Sequence, residues 1–331
     1  MPARNEIQQE IVKRKGAAQD DVRREYTKKL ANHTGRDTVI YASAFSAPKS
    51  PQVPGIVFSI TPDDVQGFMS ALHGLKGDSL DLILHSPGGS MEVADQIVQY
   101  LRAKYRHIRA IVPQNAMSAA TMIACACDVI VMGKHSALGP IDPQVTLPTA
   151  RRTFTAPAQA ILDEFEQAKR EIRADKQTIP LWVSKIQAYP PGFLQLCETT
   201  LVLAKEKVAE WLSTYMFADD DRANEQAGSI ADWLGNAKEH KTHGRPIGIA
   251  QARDKGLKVK ALEDEPDLQE LVMSVFHACM VTFLVTDCVK MVENQNGRGV
   301  YGQIAIQALP TAMQGDAGQQ QNAAACTPPH R

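Results

Sequence analysis

Two short stretches of this 331-residue chain carry residues that could do acyl-transfer chemistry. One is His85-Ser86-Pro87-Gly88-Gly89-Ser90 and the other is Asn115-Ala116-Met117-Ser118-Ala119-Ala120. A glycine pair has no side chains to keep its backbone N–H groups from a developing oxyanion. Removing one such donor typically costs on the order of 3 kcal/mol of transition-state stabilisation. A serine at a helix start, followed only by small residues, keeps an accessible hydroxyl that can serve as a nucleophile. Each stretch also has a plainer reading. Gly88-Gly89 could simply be a tight turn needing positive φ, and Ser118 an ordinary helix N-cap. What favours a shared site is their separation by one strand-and-helix unit.

The elements that must position these turns can be read from apolar periodicity. Residues 80–85 form a continuous apolar strand of the buried type, and Ser90 caps a helix running to about residue 104. Residues 108–112 are the next strand, 117–127 a short helix of small residues, and 129–132 the strand after it. This alternation implies parallel strands with right-handed crossovers, so both turns fall at strand carboxyl ends, where open α/β sheets bind ligands. Upstream, residues 38–44 and 55–60 read as strands. Thr61-Pro62-Asp63-Asp64 has the cap, proline and acid spacing of a helix start.

The chain divides into five segments on this reading. Residues 1–36 form a polar helical arm, and 37–150 a core that carries the serine. Residues 151–234 form a mostly helical insertion, with helices at about 158–174, 192–216 and 222–234. Residues 235–308 return to the core through a turn at 241–247, a helix at 249–255, a strand at 257–261 and an apolar run at 271–285. They end in two strands, 287–293 and 300–306, joined by an Asn-Gly hairpin signal. Residues 309–331 are Gln-, Ala-, Gly- and Pro-rich and should be disordered.

A base and an orienting acid are harder to pick. Nine histidines compete. His243 lies in a Gly- and Pro-containing turn that could hold an imidazole rigidly, while His240 and His135 are rivals. His85 and His277 read as packing histidines. Asp142, between two prolines, is either an orienting acid or a turn-initiating surface residue. Lys134 would have to be desolvated to serve a Ser–Lys dyad, and its polar loop does not suggest burial.

Composition narrows the class. A formal net charge of −1 gives no support for nucleic-acid or anionic-membrane binding. The six cysteines (Cys125, Cys127, Cys197, Cys279, Cys288, Cys326) lack paired spacing and read as reduced apolar fillers. No metal, nucleotide or other cofactor motif is present. The first thirty residues have no apolar core for a signal peptide, and the 271–285 run falls short of the roughly 20 residues a spanning helix needs. The expectation is a cytoplasmic protein.

Taken together, the motifs at 85–89, 116–121 (Ala-Met-Ser-Ala-Ala-Thr) and 138–144 (Leu-Gly-Pro-Ile-Asp-Pro-Gln) resemble the ClpP–crotonase superfamily. Within it the chain is most similar to the serine dehydrogenase proteinase family, relatives of SppA-type signal peptide peptidases. Thr-His-Gly-Arg-Pro-Ile at 242–247 and Val-Lys-Met-Val-Glu-Asn at 289–294 extend the resemblance over most of 38–306. It implies an α/β spiral of strand–strand–helix units and a serine peptidase with the triad Ser118, Asp142 and His243. It also implies an oxyanion hole near Gly88, Gly89 and Ala119, a peptide or protein substrate, no cofactor and a homo-oligomeric assembly. An acyl-CoA hydratase or hydrolase, or a non-catalytic scaffold on the same fold, is the alternative.

Overall fold

The computed structural model describes residues 4–14, 18–148 and 153–304. The tail at 309–331 and the end of the second hairpin strand, 305–306, lie outside the described residues. In chain order the strands are β1 (Asp37–Ser43), β2 (Ser79–His85), β3 (His107–Val112), β4 (Asn115–Ala116), β5 (Val129–Met132) and β6 (Ala137–Leu138). After them come β7 (Gln144–Pro148), β8 (Thr153–Pro157), β9 (Val259–Ala261), β10 (Cys288–Asn294) and β11 (Gly299–Gln303). Seven of them form one sheet in the order β11-β10-β1-β2-β3-β5-β9. From β1 to β9 the pairings are parallel, while β10 runs antiparallel to β1 and β11 to β10.

The helices are α1 (Arg4–Lys13), α2 (Ala18–Thr34), α3 (Pro62–Leu72), α4 (Met91–Lys104), α5 (Ala119–Cys125) and α6 (Ala158–Ala174). They continue with α7 (Ile179–Ile186), α8 (Phe193–Trp211), α9 (Ala223–Leu234), α10 (Ala237–His240), α11 (Ile249–Asp254) and α12 (Pro266–Val285). β3, β4 and α5 make one strand–strand–helix unit of the ClpP/crotonase-like spiral, with the short β4 pairing in parallel with β6.

Side chains of successive strand residues point to opposite faces, and both faces here are covered. Leu80, Leu82 and Leu84 of β2 join Val39, Tyr41, Ile108 and Ala110 in a core under α3, α4 and α5. Ile83, Ile40, Ala42 and Ile111 face the other way, onto α12. Continuous apolar strands are what this two-sided burial requires. α12 begins at residue 266, with proline at its first turn, and so has 20 residues rather than the shorter run expected. By length and composition it could cross a membrane, yet 72% of its most apolar window is buried inside the protein. It is the helix on which the second core is built.

The N-terminal helices belong to that side. Ile7, Ile11, Ala18 and Val22 pack with Ala278 and Val281 of α12. Arg23, fully buried, donates to Glu293 at 2.6 Å and to Thr282 at 2.8 Å, and Arg24 reaches the same carboxylate at 2.8 Å. Burial pushes the Glu293 carboxyl up, but the Arg23 charge and hydrogen bonds outweigh it and hold the group below its ordinary value.

Two expectations need correction. Residues 55–60 are not a strand. Gly55–Phe58 is a 3₁₀ turn, and only Ile60 pairs, as a single parallel bridge to Gly89. Both edges of β1 are already taken by β2 and β10, so no further strand can add there. β7 and β8 form an antiparallel hairpin where loop and helix were expected. Pro148 and Pro157 conceal it in the sequence, because proline is tolerated at the open edge of a two-stranded ribbon. The helical region packs in two places. The hairpin, α6 and the first half of α8 share a small core at Val145, Ile161, Phe193 and Cys197. The second half of α8 and α9 contribute Val208, Trp211, Ile230 and Leu234 to the main one.

Candidate active site

The two turns singled out in the sequence are joined by hydrogen bonds between their backbones. Ser86 N–H donates to Asn115 O at 3.1 Å, and Met117 N–H donates to Ser86 O at 2.9 Å. Beyond this zipper the chains nearly collide. A Cβ on Gly88 would sit 2.6 Å from Met117 O and 2.7 Å from Ser118 Cβ, and Gly88 has φ +95°. On the other side of the loop, a Cβ on Gly89 would lie 2.3 Å from Ile60 N. Both glycines are therefore required by close approach and by positive φ, +95° at Gly88 and +150° at Gly89.

Ser118 is not an N-cap in the usual sense. Its side chain makes no capping bond to α5, and its φ of 53° with ψ −122° is a conformation that L residues rarely adopt. Such strain persists only where the surroundings over-determine it, and it clusters at functional sites. Behind the turn, Thr121 Oγ1 donates to Ala116 O at 2.7 Å and accepts from Gly139 N–H at 2.9 Å. This ties the start of α5 to the loop that carries Asp142.

Asp142 and His243, 101 residues apart in sequence, meet here, with His243 Nδ1 2.9 Å from Asp142 Oδ1. The carboxylate is 2% exposed, and its other oxygen accepts from Gln144 Nε2 at 2.7 Å. The imidazole is about a third exposed. The two chain segments are also paired: Leu138 and Ile247 exchange backbone hydrogen bonds of 3.0 and 2.9 Å. Ser118, Ala119, Gly88, Gly89 and His243 all line one cleft of about 340 Å³. Nε2 is the free nitrogen of His243, because Nδ1 is occupied by the acid.

The other candidates lie elsewhere. His240 is buried with Nε2 2.8 Å from Trp233 O, and His135 Nε2 is 2.8 Å from Pro113 O, and neither lines the cleft. His85 is buried between Phe45 and Phe276, accepts from Asn115 N–H at Nδ1 and lies 2.9 Å from Ser46 Oγ through Nε2. Burial lowers its pKa to about 3, so it is a neutral brace between β2 and β4. Lys134 is exposed, and the cleft lining contains no lysine or arginine among the described residues.

Donor availability redistributes the expected oxyanion groups. Gly88 N–H already donates to Ser86 Oγ at 3.2 Å. The Gly89 and Ala119 N–H groups have no hydrogen-bond partner among the described residues. Gly88 thus shapes the loop, and the unpaired donors are those of Gly89 and Ala119. Sequence reasoning did not include Gln144 or the cleft walls, formed by Met91, Met122, Ile141 and, from α8, Thr200 and Ala204. Nothing local marks Thr200, whose place in the wall is set by helix packing.

Two uncharacterized proteins of Methanocaldococcus jannaschii are similar to this chain, one 31% identical over 202 residues and one 28% identical over 201. Each match takes in 60% of this chain, and the matches span 60% and 59% of those relatives' own lengths. Among solved structures, a mutant form of the 1510-N membrane-bound stomatin-specific protease is similar at 15% identity and a TM-score of 0.38. That match covers 64% of this chain and 79% of the other. Residues 53–295, which include Gly88, Ser118, Asp142 and His243, match a family as a whole. The chain belongs to the ClpP-like SDH-type serine proteinases.

Proposed function

We propose that this protein hydrolyses peptide bonds through an acyl-enzyme on Ser118. The hydroxyl attacks the scissile carbonyl while His243 Nε2 takes its proton. Asp142 holds Nδ1–H and stabilises the imidazolium, and His243 then returns the proton to the leaving amine. A water activated by the same imidazole releases the acyl group. The Gly89 and Ala119 N–H groups serve the oxyanion. The observation that carries this reading is the Asp142–His243 pair at 2.9 Å in the cleft that also presents the uncapped, positive-φ Ser118. The absence of any lysine from the described cleft lining favours the triad over a Ser–Lys dyad.

Peptide or protein is the substrate class in this proposal, with the extended chain pairing along backbone beside the Pro87-Gly88-Gly89 turn. We further propose a reducing, cytoplasmic setting, supported by five free and buried cysteines. A homo-oligomer is supported by apolar side chains left exposed on the hairpin and insertion helices, Phe154 at 50%, Leu181 at 75% and Leu196 at 54%.

Labelling with a serine-directed fluorophosphonate tests the nucleophile. Wild type should label and cleave an unfolded protein substrate, and Ser118→Ala should do neither. Asp142→Asn should slow both by about 10⁴-fold, the cost of losing the correct imidazole tautomer. Equal labelling of wild type and Ser118→Ala would overturn the assignment. Retained acyl-CoA turnover in Ser118→Ala would point to the hydratase or hydrolase instead.

A further inference from the structure

Below the glycine loop lies a buried ion pair outside the cleft lining. Lys290 of β10 and Asp64 of α3 are 9% and 3% exposed and lie 2.9 Å apart. Lys290 Nζ also donates to Ser59 O at 2.9 Å and to Thr61 Oγ1 at 3.2 Å. Asp64 Oδ2 accepts from Thr61 N–H at 2.8 Å and from Tyr41 hydroxyl at 2.9 Å. Burial and the neighbouring Asp64 charge push the Tyr41 hydroxyl pKa up, so it remains a protonated donor.

These bonds converge on Ser59 and Thr61, the two neighbours of Ile60. They flank the one place where that segment touches the glycine loop. Ile60 N–H donates to Gly88 O at 2.7 Å, and Ser90 N–H donates to Ile60 O at 3.0 Å. Gly89 lies between those two bonds, pressed so closely on Ile60 that no Cβ would fit. Opposite it, Gly88 is pressed on the Ser118 turn. The glycine loop is thus clamped between Ile60 and Ser118, and Ile60 belongs to no named strand that could hold it by a ladder. Its neighbours Ser59 and Thr61 are the residues bonded to the Lys290–Asp64 pair.

We propose that Lys290 and Asp64 are positioning residues for the oxyanion loop, fixing Ser59–Thr61 as a splint that sets where the Gly89 N–H stands. The inference rests on the proposed use of Ser118 and the Gly89 amide. It adds a role for an ion pair that touches neither substrate nor reacting atoms. A 1 Å misplacement at an oriented site can cost about 100-fold in rate, so the pair would act on turnover rather than on substrate binding.

The test is kinetic and uses the full chain. Lys290→Met should lower kcat about 10- to 100-fold with KM held within about 3-fold, the pattern of an interaction realised only in the transition state. Affinity for a peptide aldehyde, whose adduct with Ser118 presents an oxyanion, should fall by the same factor. A purely structural role would lower the melting temperature without that split. Wild-type kcat and aldehyde affinity in folded Lys290→Met, or a rise in KM alone, would overturn the proposal. Should Lys290→Met fail to fold, Thr61→Val decides. It removes one Lys290 contact, should lower kcat about 3- to 10-fold, and sinks the idea if kcat and aldehyde affinity are unchanged. Ser118→Ala is run alongside. Full activity there defeats the nucleophile assignment and the splint with it, whereas an inactive Ser118→Ala beside a wild-type Lys290→Met defeats the splint alone.

Discussion

Gly88 and Ser118 are 30 positions apart in sequence, yet a Cβ on Gly88 would stand 2.7 Å from the Cβ of Ser118. That distance is well inside van der Waals contact, and the backbone oxygen of Met117 at 2.6 Å blocks escape. Gly88→Ala should therefore displace the Ser118 turn. Overpacking together with the unfavourable φ should cost about 3 kcal/mol of stability. Fluorophosphonate labelling should slow at least about 100-fold, the scale of a 1 Å misplacement. Urea unfolding and labelling rates check both, and an alanine variant with wild-type behaviour in each would contradict the described contact.

Ser118 itself stores strain that glycine would not. Its φ of 53° and ψ of −122° suit a residue without Cβ. Ser118→Gly should be inactive and more stable than wild type by about 1 kcal/mol, whereas Ser118→Ala should be inactive without that gain. Thermal or urea unfolding of the two variants side by side is the measurement. Equal midpoints would mean that the turn is not strained.

Acid sensitivity should be traceable to His85. Its folded pKa, about 3, lies below the ordinary 6.5, so the unfolded chain takes up the proton first as pH falls. Stability should therefore decline below pH 6.5, with a slope approaching 1.4 kcal/mol per pH unit, and the full penalty should be reached near pH 3. His277, lowered to about 4 chiefly by burial, acts in the same direction, with a smaller effect because it is less buried. Between pH 6 and 5, where carboxylates hardly titrate, His85→Gln should flatten the slope of unfolding free energy against pH. An unchanged slope would show that His85 is not held neutral.

The cluster joining α2 to β10 gives a stability prediction. Glu293→Gln would leave the fully buried Arg23 with only the partly exposed Asp20, 2.8 Å away, as a carboxylate partner. Removing one partner of such a pair costs about 3–5 kcal/mol. Denaturant midpoints should shift accordingly, and a shift below about 1 kcal/mol would mean that water or Asp20 compensates.

How far the sequence carried this picture depended on the range of the interactions. β2, α4 and the Ser118 turn were legible because their signals are local: an apolar run, a capping serine, a glycine pair. Residues 55–60 carry an equally strong strand signal and are not a strand, since only Ile60 finds a partner, in Gly89. The proposed base could not be read from spacing at all. His240 and His243 sit in the same polar segment, and only the partners of each ring separate them, Trp233 O for one and Asp142 for the other. Gly89 and Gly88 looked equivalent until Ser86 Oγ was seen to occupy one of the two amides. Asp64 was legible only as a capping acid and Lys290 only as part of the 289–294 motif; nothing local pairs them, since they lie 226 positions apart.

The paired segments at Leu138 and Ile247 have a consequence for how such chains can diversify. Between them lies an excursion that begins and ends beside Asp142 and His243; its outer part packs on a core of its own, while the second half of α8 and α9 rejoin the main one. Loop-closure entropy grows slowly, by about 0.6 kcal/mol for each doubling of a flexible excursion. Lengthening or replacing the outer part of that excursion, the hairpin with α6 and α7, therefore demands little of the Asp142–His243 pair. The neck works as a socket: what is carried outside it can change while Asp142 and His243 stay where the core puts them.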